Sequence, residues 1–144
     1  MKLKYLPNGN LIPGIHSLSW EIFVEIYGYT QRRRDLIEGL ALAIEHLSAC
    51  GCTVIYVDGS FVTKERNPGD YDACWDDKEI SVDHKKLSKM YRELHRGSRD
   101  EQHLMYKGDV KPFSPQPDWR YDYFHYFTHD KFDDSEKGII QLSF

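Results

Sequence analysis

Apolar residues in the first third of the chain recur with the period of a helix. Trp20, Phe23, Val24 and Tyr27 share one face, Ser19 stands ahead of them as a cap, and Gly28 stops the run. Leu36, Leu40, Ala43, Ile44 and Leu47 repeat the spacing in a second helix, capped by Thr30 and ended by Gly51 in a left-handed conformation. The pattern then changes. Residues 53–58 (TVIYVD) are β-branched and aromatic without polar alternation, which predicts a central strand covered on both faces. After a polar turn over 63–69, Tyr71, Ala73 and Trp75 alternate with Asp70, Asp72 and Asp76, the period of a second strand.

Asp83 is placed to cap a third helix with Leu87, Met90, Tyr91 and Leu94 inside, and residues 97–101 break it. Residues 103–110 predict a third strand, and Pro112, Pro115 and Pro117 exclude regular structure beyond it. Residues 121–128 and 138–144 are strand-like and joined by a turn around Asp133-Asp134-Ser135, while 7–14 is a loop rich in Pro, Gly and Asn. The expected order is helix, helix, strand, strand, helix, strand, strand, strand. It implies an α/β (α+β) class, with a mixed sheet and helices packed on it, in one domain spanning 1–144.

Composition narrows the function. With 40% hydrophobic and 14% aromatic residues in 144, the chain has the means for a core. A net charge of −4 argues against a general nucleic-acid binder. The run Arg32-Arg33-Arg34 and the stretch of Lys85, Lys86, Lys89, Arg92, Arg96 and Arg99 read as solvated helix faces, the alternative being a docking face for RNA or an acidic partner. Three cysteines, Cys50, Cys52 and Cys74, suit buried reduced thiols better than a disulfide framework. The opening residues lack the apolar segment of a signal peptide and no run is long enough to span a membrane, so a cytoplasmic location is expected.

The chemistry concentrates between Asp58 and Asp72. On a strand, Asp70 and Asp72 project to the same side, roughly 6–7 Å apart. Two like charges on one face need a counter-charge, and hard oxygen ligands of this kind suit Mg²⁺ completed by water and phosphate oxygens. Gly59 permits close approach of backbone to a ligand, and the turn N–H groups beside Ser60 suit an anion. A strand, a Gly-Ser turn and an Asp-x-Asp strand therefore bring phosphate donors to a metal-binding pair, the equipment of phosphoryl or nucleotidyl transfer. Lys64 and Arg66 lie in the intervening turn, placed either to contact a triphosphate or to be solvated.

This pattern resembles the polymerase-β-like nucleotidyltransferase superfamily, whose minimal members and antitoxin relatives are similar in size. The longer motif, Gly59-Ser60-Phe61-x-Thr63-Lys64 followed by Pro68-x-Asp70-x-Asp72, is similar to a small bacterial group of predicted nucleotidyltransferases, as are Pro13-Gly14-Ile15-His16 and Lys137-Gly138-Ile139. The resemblance implies the nucleotidyltransferase fold. It also implies that Gly59, Ser60 and Lys64 bind nucleotide and that Asp70 and Asp72 ligate Mg²⁺ or Mn²⁺. A third carboxylate would activate the acceptor hydroxyl. Asp109 is the choice, as a third metal ligand and catalytic group beside Asp70 and Asp72, with Asp76 as runner-up. The implied activity moves a nucleoside monophosphate from a nucleoside triphosphate to a protein, RNA or small-molecule hydroxyl. The alternative is a regulatory partner-binding protein of toxin–antitoxin type with weak or no catalysis, and a third possibility is a vestigial site.

Other signals are weaker. His125 and His129 have a helical metal spacing but sit in an alternating aromatic run, which favours a sheet face. Ser60 lacks a Gly-x-Ser-x-Gly elbow, and there is no phosphate-binding P-loop. Trp75 reads as core, whereas Trp119, among prolines, and Trp20 are candidates to stack on bases.

Overall fold

The computed structural model describes residues 3–76, 80, 89–113, 128–129 and 134–144. Its strands are β1 (Gly14–Leu18), β2 (Val54–Asp58), β3 (Asp72–Asp76), β4 (Asp109–Phe113) and β5 (Gly138–Ser143). They form one mixed sheet in the order β1-β5-β2-β3-β4. The inner ladders, β5 with β2 and β2 with β3, are antiparallel, and the outer ones, β1 with β5 and β3 with β4, are parallel. The helices are α1 (Trp20–Tyr27), α2 (Gln31–Ala49), α3 (Lys89–Arg96) and α4 (Arg99–Tyr106). This is the α+β arrangement that the hydrophobic pattern implies.

The two long-range helix readings hold in detail. Ser19 accepts a hydrogen bond from the Ile22 N–H and Thr30 from the Arg33 N–H, each satisfying a donor that the first helical turn leaves open. Gly51 follows α2 with φ of 100°, a conformation that favours glycine. Phe23, Tyr27, Leu36, Leu40, Ala43 and Leu47 are buried against Ile55, Val57, Ala73, Trp75, Val110, Ile140 and Leu142 of the sheet. Burial of each such large side chain contributes about 1.5–3 kcal/mol. Trp75 is core, as its alternation implied. Cys50, Cys52 and Cys74 are buried thiols outside any disulfide.

Three expectations are corrected. Gly14 opens a strand, β1, rather than closing the loop read over 7–14. Only Leu18 of that strand is buried, so alternation gave no signal, and its extended form comes from pairing in register with β5, Gly14 opposite Gly138 and Ile15 opposite Ile139. Residues 103–106 belong to α4, not to a strand. Ser98 and Glu101 form a reciprocal capping box that starts the helix, and only Gln102 and Tyr106 of its turns are buried, too few to show a helical period. The strand begins instead at Asp109 and runs through Pro112, which the sheet accepts because β4 is an edge.

The predicted cap at Asp83, the strand over 121–127, Trp119 and His125 lie outside the described residues. Among the described residues no helix is long and apolar enough to cross a membrane.

Candidate functional site

The sheet register lines up three aspartates. Asp58 closes β2 opposite Asp72, and Asp72 opens β3 opposite Asp109, the first residue of β4. Side chains alternate along a strand, so the three share one face, and their neighbours Val57, Ala73 and Val110 turn to the other face and into the core. An acidic row thus runs across three adjacent strands at one end of the sheet.

Asp70 joins this row from just ahead of β3. His103, on α4, bridges it to Asp109: Nε2 lies 3.4 Å from Asp70 Oδ2 and 3.2 Å from Asp109 Oδ1. One ligand atom from each of Asp70, His103 and Asp109 falls within 4.8 Å of the others, so the three could hold a metal ion. Arg99 reaches both carboxylates at 3.8 Å, but from an exposed side chain where such pairs are worth little.

The position of His103 follows from how α4 is seated. Buried Gln102, its neighbour, donates to the Val110 carbonyl at 2.7 Å and accepts from the Val110 N–H at 2.8 Å, and it also donates to the Glu93 and Leu94 carbonyls at 3.2 Å. This one amide ties α3, α4 and β4 together. Tyr71 donates to the Tyr106 carbonyl at 2.8 Å and accepts at its own carbonyl from the Asp109 N–H at 3.0 Å. Gly39 of α2 has no room for a side chain beside the Tyr106 carbonyl, so α2 and α4 pack backbone to backbone at that crossing.

Electrostatics single out Asp72. Burial, then the charges of Asp70, Asp109 and Asp58, then a hydrogen bond with Asp109, push its carboxyl up to about 7. Asp70 is also raised by burial, with His103 opposing and Asp109 adding to the shift. Asp58 is buried and raised by desolvation, against which Lys137 forms an ion pair of 2.9 Å and the Gly59 N–H donates a hydrogen bond. These carboxylates are therefore short of positive charge, and Asp72 most of all.

The loop that delivers Asp70 and Asp72 is gripped by the start of α2. Arg33 is fully buried and donates to the carbonyls of Phe61 at 2.7 Å, Thr63 at 2.9 Å and Glu65 at 2.9 Å. Its guanidinium lies 4.6 Å from the Tyr29 ring centroid and 4.9 Å from that of Phe61. Arg32 donates to the Pro68 and Gly69 carbonyls, Thr30 to that of Arg66 at 2.9 Å and Tyr29 to that of Glu65 at 3.1 Å. The expectation of a solvated face is thus corrected for Arg33: its guanidinium donors fit clustered carbonyls, whose partial negative charges stand in for counter-ions. Arg32 and Arg34 are exposed.

Of the residues singled out by sequence, the structure brings Asp70, Asp72 and Asp109 together. Gly59, with φ of 85°, packs directly against the Asp72 carboxylate, and Ser60 opens a short 3-10 turn immediately after it. Lys64 extends over the Tyr5 ring, 5.2 Å from its centroid, and is not part of the acidic group. Asp76 stands at the far end of β3, about 13 Å along the strand from Asp72. His129 sits at a bridge to Glu136, away from these ligands. Sequence reasoning missed His103, Arg33 and Lys137. The capping box at Ser98 was the available signal for His103, because a helix from Arg99 puts His103 one turn inside, on the approach to the strand that follows.

The flanking motifs also find each other. Gly138 approaches the Ile12 carbonyl and His16 so closely that a side chain there would collide with both, and His16 Nε2 lies 2.9 Å from the Ile12 carbonyl. Lys137, which pairs with Asp58, directly precedes that glycine.

No curated protein and no solved structure matches this chain. A family model described as "Family of unknown function (DUF6932)" matches residues 3–143, nearly the whole length, and the chain belongs to that family.

Proposed function

We propose that this chain is a divalent-metal-dependent nucleotidyltransferase with the nucleotidyltransferase fold, moving a nucleoside monophosphate from a nucleoside triphosphate to a hydroxyl acceptor on a protein, an RNA or a small molecule. The observation that carries the reading is the convergence of Asp70, Asp72 and Asp109 beside the bare Cα of Gly59. Three carboxylates gathered at one end of the sheet, with burial and neighbouring charge raising Asp70 and Asp72, are short of a divalent cation, and the donor set fits one. Bound Mg²⁺ or Mn²⁺ supplies charge neutralisation for the triphosphate and holds its reacting phosphate in place.

The chain's own groups do the rest. Asp70 and Asp72 fix where the triphosphate is held. Ser60 and the turn after Gly59 offer hydroxyl and N–H donors to its oxygens. Asp109 accepts the proton of the acceptor hydroxyl as the new bond to the α-phosphorus forms. The bond to the bridging oxygen breaks, and pyrophosphate leaves with its electron pair. Lys64 joins the site by leaving the Tyr5 ring, a contact worth about 0.5–1 kcal/mol at an exposed position.

One observation favours a second reading, a regulatory partner-binding module of toxin–antitoxin type. Arg99 already lies against Asp70 and Asp109, so the chain supplies part of the counter-charge itself. Calorimetric titration separates the two. Each of the four ribonucleoside triphosphates, with Mg²⁺ or Mn²⁺, is titrated into wild type and into the Asp70→Ala/Asp72→Ala double variant. Metal-dependent binding confined to wild type supports the enzyme. Absence of binding by folded wild type removes it in favour of the regulatory reading.

A further inference from the structure

We infer that His103 is a direct ligand of the bound cation, completing an Asp70–His103–Asp109 set that selects a first-row transition ion such as Mn²⁺ over Mg²⁺. This rests on the reading above only for the presence of a divalent cation among these carboxylates. The geometry carries it. Two ligands at right angles on a small cation, each about 2.1 Å from it, stand about 3.0 Å apart. His103 Nε2 is already 3.2 Å from Asp109 Oδ1 and 3.4 Å from Asp70 Oδ2, so one ion can be held among the three atoms with little movement. The imidazole comes from a different element than the carboxylates, and α4 is fixed by its capping box and by the Gln102 amide rather than by His103 itself.

The donor chemistry then sets the preference. Mg²⁺ favours all-oxygen shells and keeps much of its water, whereas imidazole nitrogen suits later first-row ions and mixed nitrogen–oxygen sites bind them in rising order from Mn²⁺. Replacing one oxygen by a nitrogen therefore penalises Mg²⁺ selectively. The three side chains are partly exposed, which leaves room for water or a phosphate oxygen.

The test is pulsed electron paramagnetic resonance on wild type loaded with Mn²⁺ alone, with calorimetry of Mn²⁺ and Mg²⁺ on wild type and His103→Gln. The expected result is a nitrogen hyperfine coupling from one imidazole in wild type that is absent in His103→Gln. Mn²⁺ affinity falls about tenfold or more in the variant and Mg²⁺ affinity less than about threefold. An all-oxygen spectrum in wild type overturns the inference, as does an equal loss for both ions. If His103→Gln does not fold, the wild-type spectrum decides alone. Failure here is separable from failure of the proposed function: triphosphate binding with an all-oxygen shell sinks only the histidine ligand, and nitrogen-coupled Mn²⁺ without any triphosphate binding sinks only the transferase.

Discussion

Gly59 and Asp72 are in contact across the β2–β3 step, and the carboxylate occupies the space that a side chain at position 59 would need. The positive φ of 85° at Gly59 makes the same demand from the backbone side. Gly59→Ala therefore has to displace Asp72 and strain the turn together. The expected loss is about 2–4 kcal/mol of folding stability. Divalent cations should raise Tm of wild type and leave that of the variant unchanged. Thermal melts with and without Mn²⁺ check both.

Asp72 predicts how stability varies with pH in the absence of metal. Its folded carboxyl titrates at about 7 against a usual value near 3.8. Between those values the unfolded chain releases a proton that the folded chain keeps, so stability falls as pH rises and levels off above about 7, by up to about 4 kcal/mol. Asp72→Asn removes this dependence and should raise Tm by several degrees at pH 8 while changing it little at pH 4. Equal melting curves for the two proteins at pH 8 would rule the coupling out.

Lys137 is the charge partner of buried Asp58. Lys137→Met leaves a buried carboxylate with only the Gly59 N–H and should cost about 3–5 kcal/mol in urea unfolding at pH 7. The double variant with Asp58→Asn should recover more than half of that. A double variant no more stable than Lys137→Met would mean that the lysine acts through packing.

Arg33 is expected to be irreplaceable by lysine. Its donors serve carbonyls from four residues at once, Tyr27, Phe61, Thr63 and Glu65, and an ammonium cannot span them. Arg33→Lys should lose about 2–4 kcal/mol, most of what Arg33→Met loses. Hydrogen exchange should show faster opening over residues 61–69 in both variants while α2 itself stays protected beyond its first turn.

Much of this architecture was legible because it was encoded locally. α1 and α2 have caps, periods and stops within their own windows, and the β2 run of Val54 to Asp58 admits few alternatives. Asp70, Asp72 and Asp109 could be nominated from local spacing, although Asp70 lies just ahead of β3 rather than on it and Asp109 opens its strand rather than closing one. What stayed hidden depended on distant partners. β1 exists because Gly138 lets β5 come close, a fact about a residue far along the chain. Arg33 looked like a solvated charge because its partners are backbone carbonyls, which carry no residue-type signal. His103 became a site residue only once α4 replaced a strand, since the change of period altered which way every side chain from His103 to Tyr106 points.

The way α2 holds the 61–69 loop has a consequence for how such a protein diversifies. Arg32, Arg33, Thr30 and Tyr29 bind the loop through main-chain oxygens, which every amino acid supplies alike. Lys64, Glu65, Arg66 and Asn67 point outward and bear little of the anchoring. Their identities are free to drift without loosening Asp70 or Asp72. The anchoring of the acidic row and the chemistry of the loop's outer surface are thereby uncoupled, so new ligand preferences can be sampled at a position whose geometry is already guaranteed.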